Sequence, residues 1–177
     1  RMLVSSFSSA KKVLSWYDLL FLEDSYMKWA VYFLMFIRRC DRETCADICA
    51  KLELPPRHRA IFCRERFEAD KTLYWLRQNL PVKNSILYRK LSGYRTEVLL
   101  YMMAATRPEK VKKSISQYVT QLRQVETSVK GKDLKKMGLE PGPIYREVLE
   151  AVLDAKLNGL LRTRDDEIIF ARSYISQ

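Results

Sequence analysis

The sequence predicts an all-α protein, a stack of about ten short antiparallel helices. Three observations carry this. Apolar residues recur at three- and four-residue steps along most of the chain. No segment alternates with period two for long, and no Asn-Gly or Asp-Gly hairpin signal occurs. Only five of the 177 residues are glycine, while Leu, Ala, Glu, Lys and Arg, all good helix formers, are plentiful.

The elements follow in order. Residues 3–22 predict a first helix on the stripe Phe7, Ala10, Leu14, Tyr17 and Phe21. Asp24 or Ser25 suits the cap of a second, from Tyr26 to about Arg39, apolar nearly all round and therefore expected at the centre of the core. Asp41 opens a third that Leu54-Pro55-Pro56 stops. A long fourth runs from about Arg57 to Gln78, and Pro81 interrupts. Asn84 or Ser85 opens a helix ending before Gly93, and Thr96 another reaching Ala105. Pro108 precedes a helix from Glu109 to about Val125 on the stripe Val111, Ile115, Tyr118, Val119 and Leu122. The most regular helix is Pro143 to Asn158, with Gly159 as its stop. Thr163 or Asp165 caps the last.

Charge is uneven. The formal net charge is +11, which favours a polyanionic partner. Residues 107–136 hold nine Lys/Arg against three Asp/Glu, whereas residues 137–177 hold five against seven. The basic segment ends in Gly131-Lys132-Asp133-Leu134-Lys135-Lys136-Met137-Gly138, and Glu140-Pro141-Gly142-Pro143-Ile144-Tyr145 follows. Asp133 suits the cap of a short helical turn, Gly138 its end, and Pro143 the first turn of the next helix. Lysines beside free backbone N–H groups at helix starts suit phosphate. A plain interhelical turn with solvated lysines explains the same residues. Lys110, Lys112 and Lys113 cluster in the first turn of the Glu109 helix, where the helix dipole disfavours cations.

Other chemistries find little support. The one histidine, His58, excludes metal sites that need two. Cys40, Cys45, Cys49 and Cys63 lack paired Cys-x-x-Cys spacing and read as reduced, small buried hydrophobes, with a cytoplasmic setting expected. There is no phosphate loop, dinucleotide fingerprint or nucleophile elbow. Asp165-Asp166 with Glu167 reads as helix capping. The apolar run from Trp29 to Ile37 is too short to span a membrane. The opening Arg-Met-Leu reads as an engineered or internal boundary and not as a natural first residue.

The junction and its helix, Gly131-Lys132-Asp133-Leu134 with Pro141-Gly142-Pro143-Ile144-Tyr145-Arg146-Glu147-Val148-Leu149, resemble the C-terminal region of bacterial tRNA nucleotidyltransferases. These are the CCA-adding and A-adding enzymes of the poly(A) polymerase superfamily. Leu153-Asp154-Ala155-Lys156-Leu157-Asn158-Gly159 also resembles that pattern. Trp16-Tyr17-Asp18-Leu19-Leu20 and Glu97-Val98-Leu99-Leu100-Tyr101 fit it more loosely. The resemblance implies a helical RNA-binding body over residues 1–130 and a tail over 131–177 that together hold the acceptor/T-arm and elbow of tRNA. It implies no catalytic site and no cofactor in this chain. Magnesium and ATP or CTP belong to a catalytic head with paired aspartates on a strand, which this sequence lacks. The implied partner is tRNA, not a membrane or a small-molecule substrate, and an oligomer stays open. The RNA-facing residues it implies are Gly131, Lys132, Gly138, Pro141 and Gly142, with Lys135 and Lys136 beside them on charge. Lys110, Lys112 and Lys113 join the candidate contacts on charge alone. Tyr145 is a candidate for stacking on a base, or for packing beside Tyr118. The competing reading is a helical protein–protein module with no RNA role; a basic amphipathic membrane-surface helix ranks behind it.

Overall fold

The computed structural model describes residues 2–22 and 24–176, with side chains from residue 4 onward. Helices make up 73% of the structure, and no strand occurs among the described residues. The helices are α1 (Met2–Asp18), α2 (Lys28–Ile37), α3 (Arg42–Lys51), α4 (Pro56–Ala60), α5 (Arg66–Asn79), α6 (Asn84–Leu91), α7 (Thr96–Ala105), α8 (Glu109–Thr120), α9 (Gly131–Lys136), α10 (Pro143–Leu157) and α11 (Arg164–Ile175). A π-helical turn, Ile61–Glu65, joins α4 to α5, so the long fourth helix expected from the sequence is one run with a widened turn inside it. The chain forms two compact units, residues 1–81 with 90–117 and residues 82–89 with 118–177, whose boundaries fall within α6 and α8.

In the first unit α1, α2 and α7 pack on one another, and α5 packs on α7. The central helix is α7, not α2. All ten residues of α7 are buried, whereas α2 leaves Trp29 and Phe36 about half exposed. Chain composition alone favoured α2, but burial follows neighbours on every side, and α7 has them. The same packing explains where α2 begins. Neither Asp24 nor Ser25 caps it. Met27 holds the N-cap position, and its backbone N–H donates to Glu97 Oε1 of α7 at 2.9 Å. A carboxylate from another helix does the work of a local cap, which satisfies one of the donors that a helix start leaves open. At α1 the helix stops at Asp18, and Phe21 lies beyond it, 87% exposed with a φ of +49°.

Arg66 anchors the other end of α2. It is 1% exposed. Its guanidinium donates to the carbonyls of Arg38 at 3.0 Å and Cys40 at 2.6 Å, just past the α2 C-terminus. It lies 3.7 Å from the Phe67 ring centroid. Carbonyls at a helix C-terminus carry partial negative charge and need donors. Asp41, as expected, caps α3 by accepting from the Thr44 N–H at 2.8 Å. The cysteines are free thiols, Cys45 and Cys49 buried, with Cys49 and Cys63 sulfurs 3.5 Å apart.

The second unit is built on a cluster of Val129, Leu134, Val148, Val152, Ala155, Leu161 and Ala171. Its polar centre is Glu167, which is fully buried. The carboxylate accepts from the N–H groups of Ser128 at 2.7 Å and Val129 at 2.9 Å, and from Lys156 Nζ at 2.7 Å. Burial raises the pKa of this carboxyl, but Lys156 and the two N–H groups outweigh burial and hold it below the ordinary value of 4.5. Thr163 caps α11 as expected, accepting from the Asp166 N–H at 3.1 Å, and Asp166 returns the bond to the Thr163 N–H at 2.9 Å.

Glu167→Gln should cost about 3 kcal/mol of folding stability near neutral pH, because the amide faces Lys156 without a charge and cannot satisfy every donor. A depressed folded-state pKa contributes stability above the unfolded value, and that contribution fades as pH falls through the folded value. The gap between wild type and Glu167→Gln in urea unfolding should therefore shrink steadily below about pH 4.5. A pH-independent gap would contradict this account.

Candidate nucleic-acid interface

The junction that stands out in the sequence lies wholly in the second unit. α9 is one and a half turns long and is held from inside by Leu134, which is fully buried. Asp133 caps α9, but from its third position and not from its start. Its Oδ2 accepts from the Lys130 N–H at 2.9 Å, and Oδ1 accepts from Arg164 of α11 at 2.9 Å. The Lys130 backbone N–H, with the Arg164 guanidinium behind it, holds the Asp133 carboxyl below the usual carboxylate range. The acid of this lysine-rich turn is thus engaged within the fold, while Lys132, Lys135 and Lys136 are all exposed.

Gly138 ends α9 with a φ of +90°. The Gly138 N–H donates to the Lys135 carbonyl at 3.0 Å, and the Leu139 N–H donates to the Leu134 carbonyl at 3.2 Å. This pair is the Schellman pattern, and it requires a residue at ease in the left-handed region. α10 closes in the same way. Gly159, φ +76°, donates to Lys156, and Leu160 donates to Ala155, both at 2.9 Å. Pro141 and Gly142 are exposed, and Gly142 is extended with a φ of −178°, just before Pro143 begins α10. Between the two helices Tyr145 closes the loop. Its hydroxyl donates to the Leu139 carbonyl at 2.9 Å. A Cβ on Gly131 would stand 3.4 Å from the Tyr145 ring, in van der Waals contact with it. Tyr145 does not pack beside Tyr118; that ring meets Tyr88, centroids 5.9 Å apart.

An open, mainly apolar hollow of about 590 Å³ adjoins the junction, lined by Lys130, Gly142, Tyr145, Arg146, Leu149 and Tyr88 among others. Lys130, Arg146 and Tyr88 were not singled out by sequence reasoning. Arg146 sits one turn into α10 and pairs with Glu150 at 2.7 Å, an i,i+4 pattern that reads as ordinary helix surface. Lys110, Lys112 and Lys113 lie in the first unit, on the first turn of α8. Lys110 and Lys113 are exposed, and Lys112 is 3.9 Å from Glu109. Among the described residues no group of three or more His, Cys, Asp or Glu is placed to hold a metal ion. Among the same residues no helix is long and apolar enough to cross a membrane.

Fold and site together define an all-α module with a lysine-bearing helical junction near its C-terminal end. No family model matches the chain. Over 165 residues it is 39% identical to an A-adding tRNA nucleotidyltransferase of Geobacter sulfurreducens, which covers 91% of this chain and 19% of that enzyme. A second A-adding tRNA nucleotidyltransferase, from Halalkalibacterium halodurans, is 27% identical over 90 residues, 51% of this chain and 21% of the enzyme. The chain is a relative of tRNA nucleotidyltransferases, matched to one region of them, and spans about a fifth of the length of these curated relatives. Solved structures share the fold. A tRNA-processing enzyme in an apo form superposes with a TM-score of 0.66 over 88% of this chain and 37% of that one, at 24% identity. A CCA-adding enzyme in complex with ATP superposes with a TM-score of 0.68 over 100% of this chain and 41% of that one, at 18% identity.

The two glycines nearest Pro143 separate folding from contact. Gly138→Ala should destabilise the protein by about 1 kcal/mol, because a Cβ is strained in the left-handed region. Gly142→Ala should leave stability within about 0.5 kcal/mol, since its backbone is extended and the added carbon meets only the Glu140 carbonyl oxygen at 3.9 Å. Chemical denaturation of both variants checks the contrast.

Proposed function

We propose that this chain is a tRNA-holding region of a tRNA nucleotidyltransferase. It would grip the acceptor/T-arm and elbow by shape and phosphate contacts while a catalytic head elsewhere in the enzyme adds nucleotides to the 3′ end. The observation that carries the proposal is the charge arrangement of α9. Asp133 is tied to the Lys130 N–H and to Arg164 within the fold, while the short helix presents Lys132, Lys135 and Lys136 outward. Exposed Gly138, Pro141 and Gly142 border the same turn, and the glycines allow close approach of a sugar-phosphate backbone. The similarity to A-adding enzymes supports tRNA as the ligand.

Recognition of this kind reads phosphates and 2′-hydroxyls of an A-form helix, whose deep major groove hides the bases. It follows that affinity for tRNA should survive a change of anticodon and fall steeply with salt. Replacing Lys132, Lys135 and Lys136 together by Ala should weaken binding at low salt and reduce the slope of log affinity against log salt by about one for each phosphate contact removed. Fluorescence anisotropy with labelled tRNA, with an unstructured RNA of equal length as competitor, measures both. Equal affinity for the two RNAs, or an unchanged slope in the triple variant, would count against the reading. A salt-insensitive dimer without RNA affinity would instead favour a protein–protein module.

A further inference from the structure

The first unit contains a second cationic feature, separate from the junction. A cavity of about 690 Å³ is lined by Arg38, Arg39, Arg77, Arg107 and Lys112, and no acid is among its lining residues. These cations come from four places in the chain: the end of α2, the last turn of α5, the loop after α7 and the first turn of α8. Side chains of Ser5, Ser6 and Ser9 on α1 form part of the wall. Arg38 is held in place by donating to the Ala105 carbonyl at 3.4 Å. The acids nearby stand outside the lining, and the Asp70 charge reaches Arg38 and Arg77 from behind. Asp70 accepts from the Tyr101 hydroxyl at 2.8 Å and from Arg66 at 3.4 Å. Glu109 reaches only Lys112, at 3.9 Å.

One wall residue adds an independent observation. Thr106 is 3% exposed, and its hydroxyl has no hydrogen-bond partner. Buried hydroxyls are normally paired, so an unpaired one beside a cavity needs a reason. The start of α8, a twelve-residue helix, opens beside it and contributes positive potential from its unpaired N–H groups. Arg38, Arg77 and Arg107 bring like charge to one hollow, and an anion there offsets their mutual repulsion.

We infer that this cavity in the first unit is a binding site for a phosphoanion, of the size of phosphate or pyrophosphate. The guanidinium groups would supply paired N–H donors to its oxygens, a geometry that suits Arg. Two sources share this chemistry: a free phosphoanion, or a phosphate of bound RNA. The second source rests on the proposed tRNA-holding role; the first does not.

The test titrates the full 177-residue chain with sodium pyrophosphate at constant ionic strength, read by calorimetry and by backbone amide NMR. The expected result is saturable binding with shifts in residues 5–9 and 104–112. Arg77→Gln with Arg107→Gln should weaken it about tenfold. Arg39→Gln with Lys112→Gln is an independent pair, and circular dichroism confirms that each variant folds. The titration is then repeated with the chain saturated by tRNA. Loss of pyrophosphate binding assigns the site to an RNA phosphate, and retention assigns it to a free phosphoanion. Absence of saturable pyrophosphate binding to the wild type, or equal affinity in wild type and both charge variants, overturns the inference. Failure of tRNA binding with the pyrophosphate site intact overturns only the tRNA-holding role.

Discussion

The second unit depends on where one carboxylate goes. Glu167 sits on α11, yet two of its three partners are backbone N–H groups of residues 128 and 129, and the third is Lys156 near the end of α10. That single group ties three stretches of chain together at the point where the segment before α9 enters. Val129 beside it is fully buried in the apolar cluster, as is Leu134 five residues later on the inner face of α9. With residues 128–129 and Leu134 both anchored, α9 has no freedom to turn about its own axis. Its outer face therefore belongs to Lys132, Lys135 and Lys136. A helix of six residues is too short to be stable from propensity, since nucleation costs more than so few hydrogen bonds return. The orientation of the lysines is a consequence of the buried carboxylate and Leu134 acting from below.

The first unit solves a similar problem with the opposite sign. Arg66 is buried at the C-terminal end of α2, where exposed carbonyls would otherwise face the interior without donors. A guanidinium can serve several carbonyls at once because its N–H groups lie in a fixed fork. Isolated buried charge is costly, and here the cost is offset by carbonyl, carboxylate and aromatic contacts on most sides. Glu97 at the other end of α2 completes the symmetry: an acid serves the N-terminus and a base the C-terminus, both from other helices. The position of α2 is thus set by charges that lie 28 and 70 residues away along the chain.

These long-range pairings mark the limit of what the sequence makes legible. Helix class, most boundaries and the stops at Gly138 and Gly159 depend on local chemistry, and the expected Schellman closures and the caps at Asp41 and Thr163 are present. The start of α2, the central place of α7 and the role of Glu167 depend on partners distant in sequence. Nothing local separates Glu167, which binds two remote N–H groups, from Asp166 beside it, which caps its own helix. At the site, the fit of Gly131 against Tyr145 is equally invisible, because the two are fourteen positions apart and only the turn between them brings ring and backbone together. Arg146 reads as helix surface from its spacing to Glu150, and only the structure shows that it also borders the hollow beside Gly142.

The presence of Asp133 in a basic turn looks, from the sequence, like a flaw in a phosphate-binding site, since a carboxylate repels phosphate. The geometry removes the objection. An acid at the third position of a helix stabilises its N-terminal N–H groups, and this one also holds Arg164 from α11. An alanine there would remove the acceptor of the Lys130 N–H and the partner of Arg164, loosening the turn that displays the lysines. A carboxylate turned into the fold therefore organises the cationic face without neutralising it. The same separation, with structural acids engaged internally and cations left outward, holds in the first unit, where Asp70 is occupied by Tyr101 and Arg66 while Arg77 and Arg107 line the open cavity. Sequence charge counts treat each acid as cancelling a base. In both units the fold decides which base each acid faces most closely: Arg164 for Asp133 and Arg66 for Asp70.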